Sequence, residues 1–347
     1  MKITKLFTLS LMGSFLLHSC SSDDDNNIAE PTPPENAAYT NGVFVVNEGS
    51  QSTGTVSFLD AASTSIENNI FETVNPDLDL GKFVQSMFFD EDNAYIIANG
   101  SNLITVVDRY TFEYKGQVDS GLNIPYYGVV YDGKAYVTNL ADFSTGTDDF
   151  IAVIDLTSLE VEETVVAGTY LDFVDEEDGV IYVEGASFGT GNAVHAFDPA
   201  TNSITKTYTT VEGVNSFEIE GEQLFALSSS QLQVFNLDSG EETYHIDFPE
   251  EVNSARNLVF ENDMFYFTSG LAVYGLAETA TTFPEESLFE FTDVITLYAF
   301  DVEDGFIWTG DAKDYASAGT VRIYNNSGEL ENEFEVGVNP NSFYFID

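Results

Sequence analysis

From Gly42 onward the chain is written in short apolar runs separated by acidic segments that contain glycine or asparagine. Ala94-Tyr95-Ile96-Ile97-Ala98, Leu103-Ile104-Thr105-Val106-Val107 and Ala135-Tyr136-Val137-Thr138 are typical. They are rich in β-branched and aromatic residues and bounded by turn chemistry, which reads as β-strand. One run in each unit carries a marker aromatic: Phe44, Tyr95, Tyr136, Tyr182, Phe225, Tyr266 and Trp308, spaced 41 to 51 residues apart. A further run follows most markers and ends in Asp or Asn, as at Asp60, Asp108, Asp155, Asp198, Asn236 and Asn325. Several short strands at a period of about 40–50 residues predict radial repetition, the pattern of a β-propeller.

Each unit reads as inner strand, acidic turn, second strand, loop, third strand, turn and outer strand. The turns include Asp132-Gly133, Asp178-Gly179, Asn262-Asp263 and Asp304-Gly305. These residues tolerate positive φ and suit tight hairpins; none has the spaced oxygen ligands of a calcium loop. The first unit begins at Gly42 with a second strand and lacks an inner one, whereas Pro340 to Asp347 has inner-strand character. The expected fold is therefore all-β: a seven-bladed β-propeller closed by its C-terminal strand joining the first blade, which removes exposed sheet edges. The expected blades are 340–347 with 40–83, then 84–123, 124–168, 169–213, 214–251, 252–291 and 292–339. The marker aromatics are expected to pack between neighbouring blades. The continuous repeat predicts one folded unit over 40–347.

Charge narrows the function. The 347 residues hold 59 Asp and Glu against 10 Lys and Arg, a formal net charge of −49. Nucleic-acid binding needs a positive footprint, so no nucleic-acid partner is expected. Attraction of the protein's own charge to an anionic membrane is excluded on the same ground. Cys20 is the single cysteine, so neither an intrachain disulfide nor a Cys-based metal cluster is available. No metal or cofactor is expected.

The amino terminus reads as an address. Lys2 and Lys5 precede an apolar run, Leu6 to Leu17, that is too short to span a bilayer. It ends in Leu17-His18-Ser19-Cys20, which resembles a bacterial lipobox. The expectation is a signal peptide over 1–19, lipidation of Cys20 and a disordered acidic and Pro-containing tether over 20–39. Ser21-Ser22-Asp23-Asp24-Asp25 is similar to the surface-export signal of Bacteroidota lipoproteins. A lipid-anchored protein on the outer face of an outer membrane is the expected location.

No His-Glu-x-x-His, nucleophile elbow or phosphate loop is present, and His195 and His245 fall in different blades. Carboxylates are too dense to single out a catalytic pair, so a binding protein rather than an enzyme is expected. In a propeller the loops between second and third strands and the entries to inner strands meet around the central channel, the default binding face. The loops supply Asn47, Glu48, Asn99, Asn139 and Tyr315; the entries supply Gln85, Tyr126, Tyr127, Tyr170, Asn215, Arg256, Asn257, Tyr298 and Asn341. Rings provide area and amides provide directed hydrogen bonds, a mixture suited to a flat ligand rich in amide or hydroxyl groups. Arg256 fits a ligand contact and a structural ion pair equally well.

The runs around Tyr136-Val137-Thr138-Asn139 and Tyr95-Ile96-Ile97-Ala98-Asn99 resemble the Tyr-Val-Thr-Asn class of propellers, which includes YncE-like proteins. The opening Gly42-Val43-Phe44-Val45-Val46-Asn47-Glu48-Gly49 resembles that of BtuG-type surface lipoproteins of Bacteroidota. That resemblance implies a seven-bladed propeller that captures cobalamin and hands it to a TonB-dependent outer-membrane transporter. The first functional expectation is thus capture of a small-molecule nutrient, a corrinoid first. The alternatives are a protein-interaction or adhesion platform and, further off, a hydrolase or lyase using funnel carboxylates.

Overall fold

The computed structural model describes residues 33–34 and 36–346. The expected signal segment 1–19, Cys20 and most of the tether lie outside the described residues. The described residues form seven four-stranded antiparallel sheets, arranged as the seven blades of a propeller. Six sheets follow chain order; the seventh pairs the last strand with the first. In that closing sheet Pro340–Ile346 is the inner strand beside Gly42–Asn47, with Gly42 opposite Ile346 and Val45 opposite Phe343. The expected closure is therefore present, and blade 1 has no open inner edge.

The hairpin chemistry works as the sequence predicts. Both central residues of Asp132-Gly133, Asp178-Gly179, Asn262-Asp263 and Asp304-Gly305 have positive φ, the geometry that matches strand twist in a two-residue hairpin.

Every marker aromatic is buried at an interface between successive blades. Tyr95 of blade 2 sits among Ala135, Val137 and Ile154 of blade 3. Phe225 of blade 5 sits against Phe265 and Phe267 of blade 6. Trp308 of blade 7 meets Val43, Val45 and Phe343, so the last interface packs blade 7 onto the closing sheet. Rings of this size each contribute about 1.5–3 kcal/mol of burial.

Three features depart from the expected plan. The link from blade 1 to blade 2 contains a short helix, Ile70–Val74, which buries Ile70 and Phe71 beneath the blade. The second and third strands of blade 4 run long, Val180–Ser187 and Thr190–Asp198, so that little loop is left between them beyond the turn at Phe188-Gly189. Pairing of Ser187 with Thr190 extends the hairpin and lifts Phe188 above the blade. The inner strand of blade 4 is only Val174–Glu177, and its entry from Tyr170 to Phe173 is irregular. Outside these places the strand order of every blade matches the reading from sequence.

Candidate functional site

The inner strands set the geometry of the channel mouth. Val84–Phe89, Pro125–Tyr131, Val214–Glu220, Ala255–Glu261, Leu297–Glu303 and Pro340–Ile346 each begin opposite the end of the neighbouring second strand. Their second residues are Gln85, Tyr126, Asn215, Arg256, Tyr298 and Asn341, all expected site residues. In blade 4 the equivalent residue is Asp172, whose N–H donates to the Glu184 carbonyl at 3.0 Å. The expected residue Tyr170 is misplaced by two positions. It lies against Gly146 of the preceding loop and lines neither cleft, because the blade 4 entry is not regular strand.

Two adjoining clefts open at this face. The larger, about 690 Å³, is lined by Glu48, Gln85, Asn99, Tyr126, Tyr298 and Asn341 among others. The smaller, about 530 Å³, holds Asp172, Glu184, Asn215, Glu218, Arg256 and Asn257. Tyr127 and Phe188 belong to both and form the partition. Tyr315 stands over Tyr298 with ring centroids 5.6 Å apart, on the opposite rim from the Phe143–Phe188 pair, also at 5.6 Å.

The amides form a network. Asn99 Nδ2 donates to Gln85 Oε1 at 3.1 Å, and Gln85 Nε2 donates to Tyr127 Oη at 3.3 Å. Asn341 Nδ2 reaches the Gln85 carbonyl at 2.9 Å and Asn215 Nδ2 the Ala255 carbonyl at 3.0 Å, each tying its blade to the next. Asn257 Nδ2 donates to Thr268 Oγ1 at 2.9 Å. Tyr298 Oη donates to Glu48 Oε2. That bond and burial raise the Tyr298 hydroxyl's pKa, burial being the larger cause.

Asn47 and Asn139 do not face the clefts. Both are fully buried; Asn47 Nδ2 donates to Ser57 Oγ at 3.0 Å, and Asn139 accepts the Asn123 N–H at 2.9 Å while donating to the Val137 carbonyl. They lock the strand ends that carry the loops. At a strand terminus an Asn satisfies backbone groups as readily as it meets a ligand, and the repeat alone does not separate the two uses.

Asp172 and Glu184, which sequence reading missed, are the site's main electrostatic feature. The chain bulges between Glu184 and Ala186, and Gly185 permits the bulge because a Cβ there would sit 2.4 Å from His195 Nε2. Burial, then the Asp172 charge, pushes Glu184 well above the usual carboxylate range. Asp172 is pushed up to about 7 by burial, opposed by a hydrogen bond from Ser187 Oγ at 2.8 Å. Asp149 behind it is also raised to about 7 by burial, with Oδ2 accepting the Leu171 N–H and Oδ1 unpartnered. Glu218, half-buried on the next inner strand, is raised to about 8, desolvation being the first cause. Arg256 is the one basic residue lining either cleft, and it makes no ion pair among the described residues. The ion-pair role therefore drops away, which leaves its guanidinium open to a ligand.

Fold and site together define a β-propeller with a polar, aromatic funnel. The chain belongs to the family described as a domain of unknown function, DUF5074, whose model matches residues 41–293. No protein with a curated description matches it. Among solved structures, the fold is similar to a quinoprotein alcohol dehydrogenase-like protein from Bacteroides thetaiotaomicron, with 15% identity, a TM-score of 0.66, and coverage of 88% of this chain and 78% of that one. It is also similar to the dihydro-heme d1 dehydrogenase NirN in complex with DHE, with 12% identity, TM-score 0.59, and coverage of 91% and 77%. BamB from Moraxella catarrhalis gives 16% identity, TM-score 0.54, and coverage of 87% and 86%. At these identities the likeness is one of fold.

Proposed function

We propose that this protein captures a small-molecule nutrient in the funnel, a corrinoid first, as a lipid-anchored protein of the cell surface that passes its ligand to a TonB-dependent outer-membrane transporter. The observation that carries the binding role is the pair of adjoining clefts, walled by Tyr126, Tyr127, Phe188 and Tyr298 and studded with Gln85, Asn99 and Asn215. Their volumes fall within the roughly 300–1,000 Å³ of small-molecule sites. A flat ring system lies on such rings, and its peripheral amides meet the Asn and Gln side chains. Arg256 supplies the cleft's positive charge for an anionic or carbonyl group. The signal-like run before Cys20 supports the anchor, and the BtuG-like opening supports the ligand class and the transporter. The reading is one of binding rather than catalysis, in keeping with a sequence that carries no His-Glu-x-x-His, nucleophile elbow or phosphate loop.

Calorimetric titration of the full chain with cobalamin and with cobinamide tests the ligand. Saturable heat and a shifted corrin absorption spectrum are expected, both weakened by Tyr126→Ala. No heat and no spectral change at micromolar protein sinks the corrinoid reading.

A second reading, a protein-interaction or adhesion platform, is favoured by the exposure of Phe188 (69%) and Ile295 (72%) at the same face. Its test is a pull-down from outer membranes without added ligand, in which a partner lost on Phe188→Ser supports the platform.

A further inference from the structure

Two residues after the marker aromatic, six blades carry Val46, Ile97, Thr138, Leu227, Thr268 and Gly310. Blade 4 carries Glu184 there, 4% exposed. Its carboxyl group receives no hydrogen bond among the described residues. A buried, unpartnered carboxyl costs free energy that Leu or Thr at this position does not. The group is not sealed in the core, because it lines the smaller cleft. Asp172 lines the same cleft, and it too breaks the repeat, standing where other blades have Asn, Gln, Tyr or Arg.

Rings surround the pair. Tyr127 and Phe173 meet edge to face with centroids 5.5 Å apart, Phe173 and Phe217 meet likewise at 5.5 Å, and Phe188 lines the same cleft from the rim. Paired carboxyl groups beside ring faces are the chemistry that holds an ammonium group, through charge-assisted hydrogen bonds and cation–π attraction. Among the described residues no group of three or more His, Cys, Asp or Glu is placed to hold a metal ion, so the pair suits an organic cation. Arg256, in the same cleft, makes no ion pair with either carboxyl, which leaves them open to a cation from outside.

We propose that Asp172 and Glu184 form a subsite for a protonated or methylated amine carried by the funnel's ligand, with Tyr127, Phe173 and Phe217 as its walls. The inference rests on the funnel being the binding face and not on the corrinoid, whose peripheral groups are amides rather than amines. The amine enters as its cation between the rings and meets the two carboxyl groups, and a proton that the pair holds passes to solvent as the carboxylate forms.

The test uses the full chain, titrated by ligand-observed NMR with choline, with n-butylamine and with 3,3-dimethyl-1-butanol, the neutral isostere of choline. Choline and n-butylamine should bind, and the isostere should bind at least about tenfold more weakly. Glu184→Gln and Asp172→Asn should each weaken the amines by about tenfold or more, with unchanged circular dichroism showing an intact fold. The proposal is overturned if the isostere matches choline, if both variants keep wild-type amine affinity, or if neither amine binds at millimolar concentration. If cobalamin binds and no amine does, this inference falls alone. If an amine binds and no corrinoid does, the subsite stands and the corrinoid reading falls.

Discussion

Blades 4 and 5 follow one plan and part company where the plan reaches the channel. Both bury their marker aromatic, Tyr182 or Phe225, against the next blade. Two residues on, blade 5 places Leu227 in its core cluster, whereas blade 4 places Glu184 at the cleft. At the inner-strand entry blade 5 has Asn215, tied to the Ala255 carbonyl, and blade 4 has Asp172, turned to Ser187. The repeat builds the ring, and departures from the repeat build the site. A residue that weakens its blade without structural return is where binding chemistry should be sought.

That contrast can be broken by exchange. Leu227→Glu imposes the blade 4 residue on blade 5 without the cleft, and should destabilise by about 5 kcal/mol through lost burial plus an unpaired buried carboxyl. Chemical denaturation measures it; a loss below about 1 kcal/mol would mean that the position is not a core position. The shared part of the plan is tested by Tyr182→Ala and Phe225→Ala, each expected to cost about 3–5 kcal/mol. A large loss in one blade and none in the other would dissolve the symmetry argument. The reverse exchange, Glu184→Leu, should stabilise by about 1–3 kcal/mol, since it removes a buried polar group that lacks a partner.

A smaller effect concerns pH. Asp149, Asp172 and Asp301 are raised to about 7 and Glu218 to about 8, burial being the first cause for each. Between their unfolded values near 4 and these folded values, the folded state holds protons that the unfolded state releases. Stability therefore falls as pH rises through that window. The midpoint of thermal unfolding should be higher at about pH 5.5 than at about pH 8, and Glu184→Leu should flatten the trend. Carboxylates held low, such as Asp90 and Asp311, lose their contribution only on acidification below the window. A melting temperature that climbs from about pH 5.5 to pH 8 would contradict the burial of these groups.

The ring and the inter-blade role of the marker aromatics were legible because each repeats, and periodicity survives local noise; the closure was legible because the first unit lacks the inner strand that Pro340–Ile346 supplies. The helix Ile70–Val74 was not, since it occurs once and covers barely more than a turn. Most inner-strand entries were legible from the recurring order of the unit. Blade 4 is the exception, with Asp172 at the channel in place of Tyr170, because that entry leaves regular strand geometry. Asn47 and Asn139 carried the right residue type at the right loops but turn to the Ser57 hydroxyl and to backbone groups, respectively, instead of the clefts. Glu184 was hidden by the sheer number of carboxylates. The signal that reveals it is positional: lined up on Tyr182, it stands in a column otherwise filled by Val, Ile, Thr, Leu and Gly.

The pairing of Gly42 with Ile346 has a consequence for biosynthesis. Nearly the whole polypeptide must be made between the two halves of that ladder, about 15–60 s at ordinary ribosomal speeds of roughly 5–20 residues per second. For that interval Gly42–Asn47 has one flank with no neighbour to bond, and it would be open to any stray extended segment. A chaperone that covers this flank until Pro340–Ile346 is made would limit such mispairing.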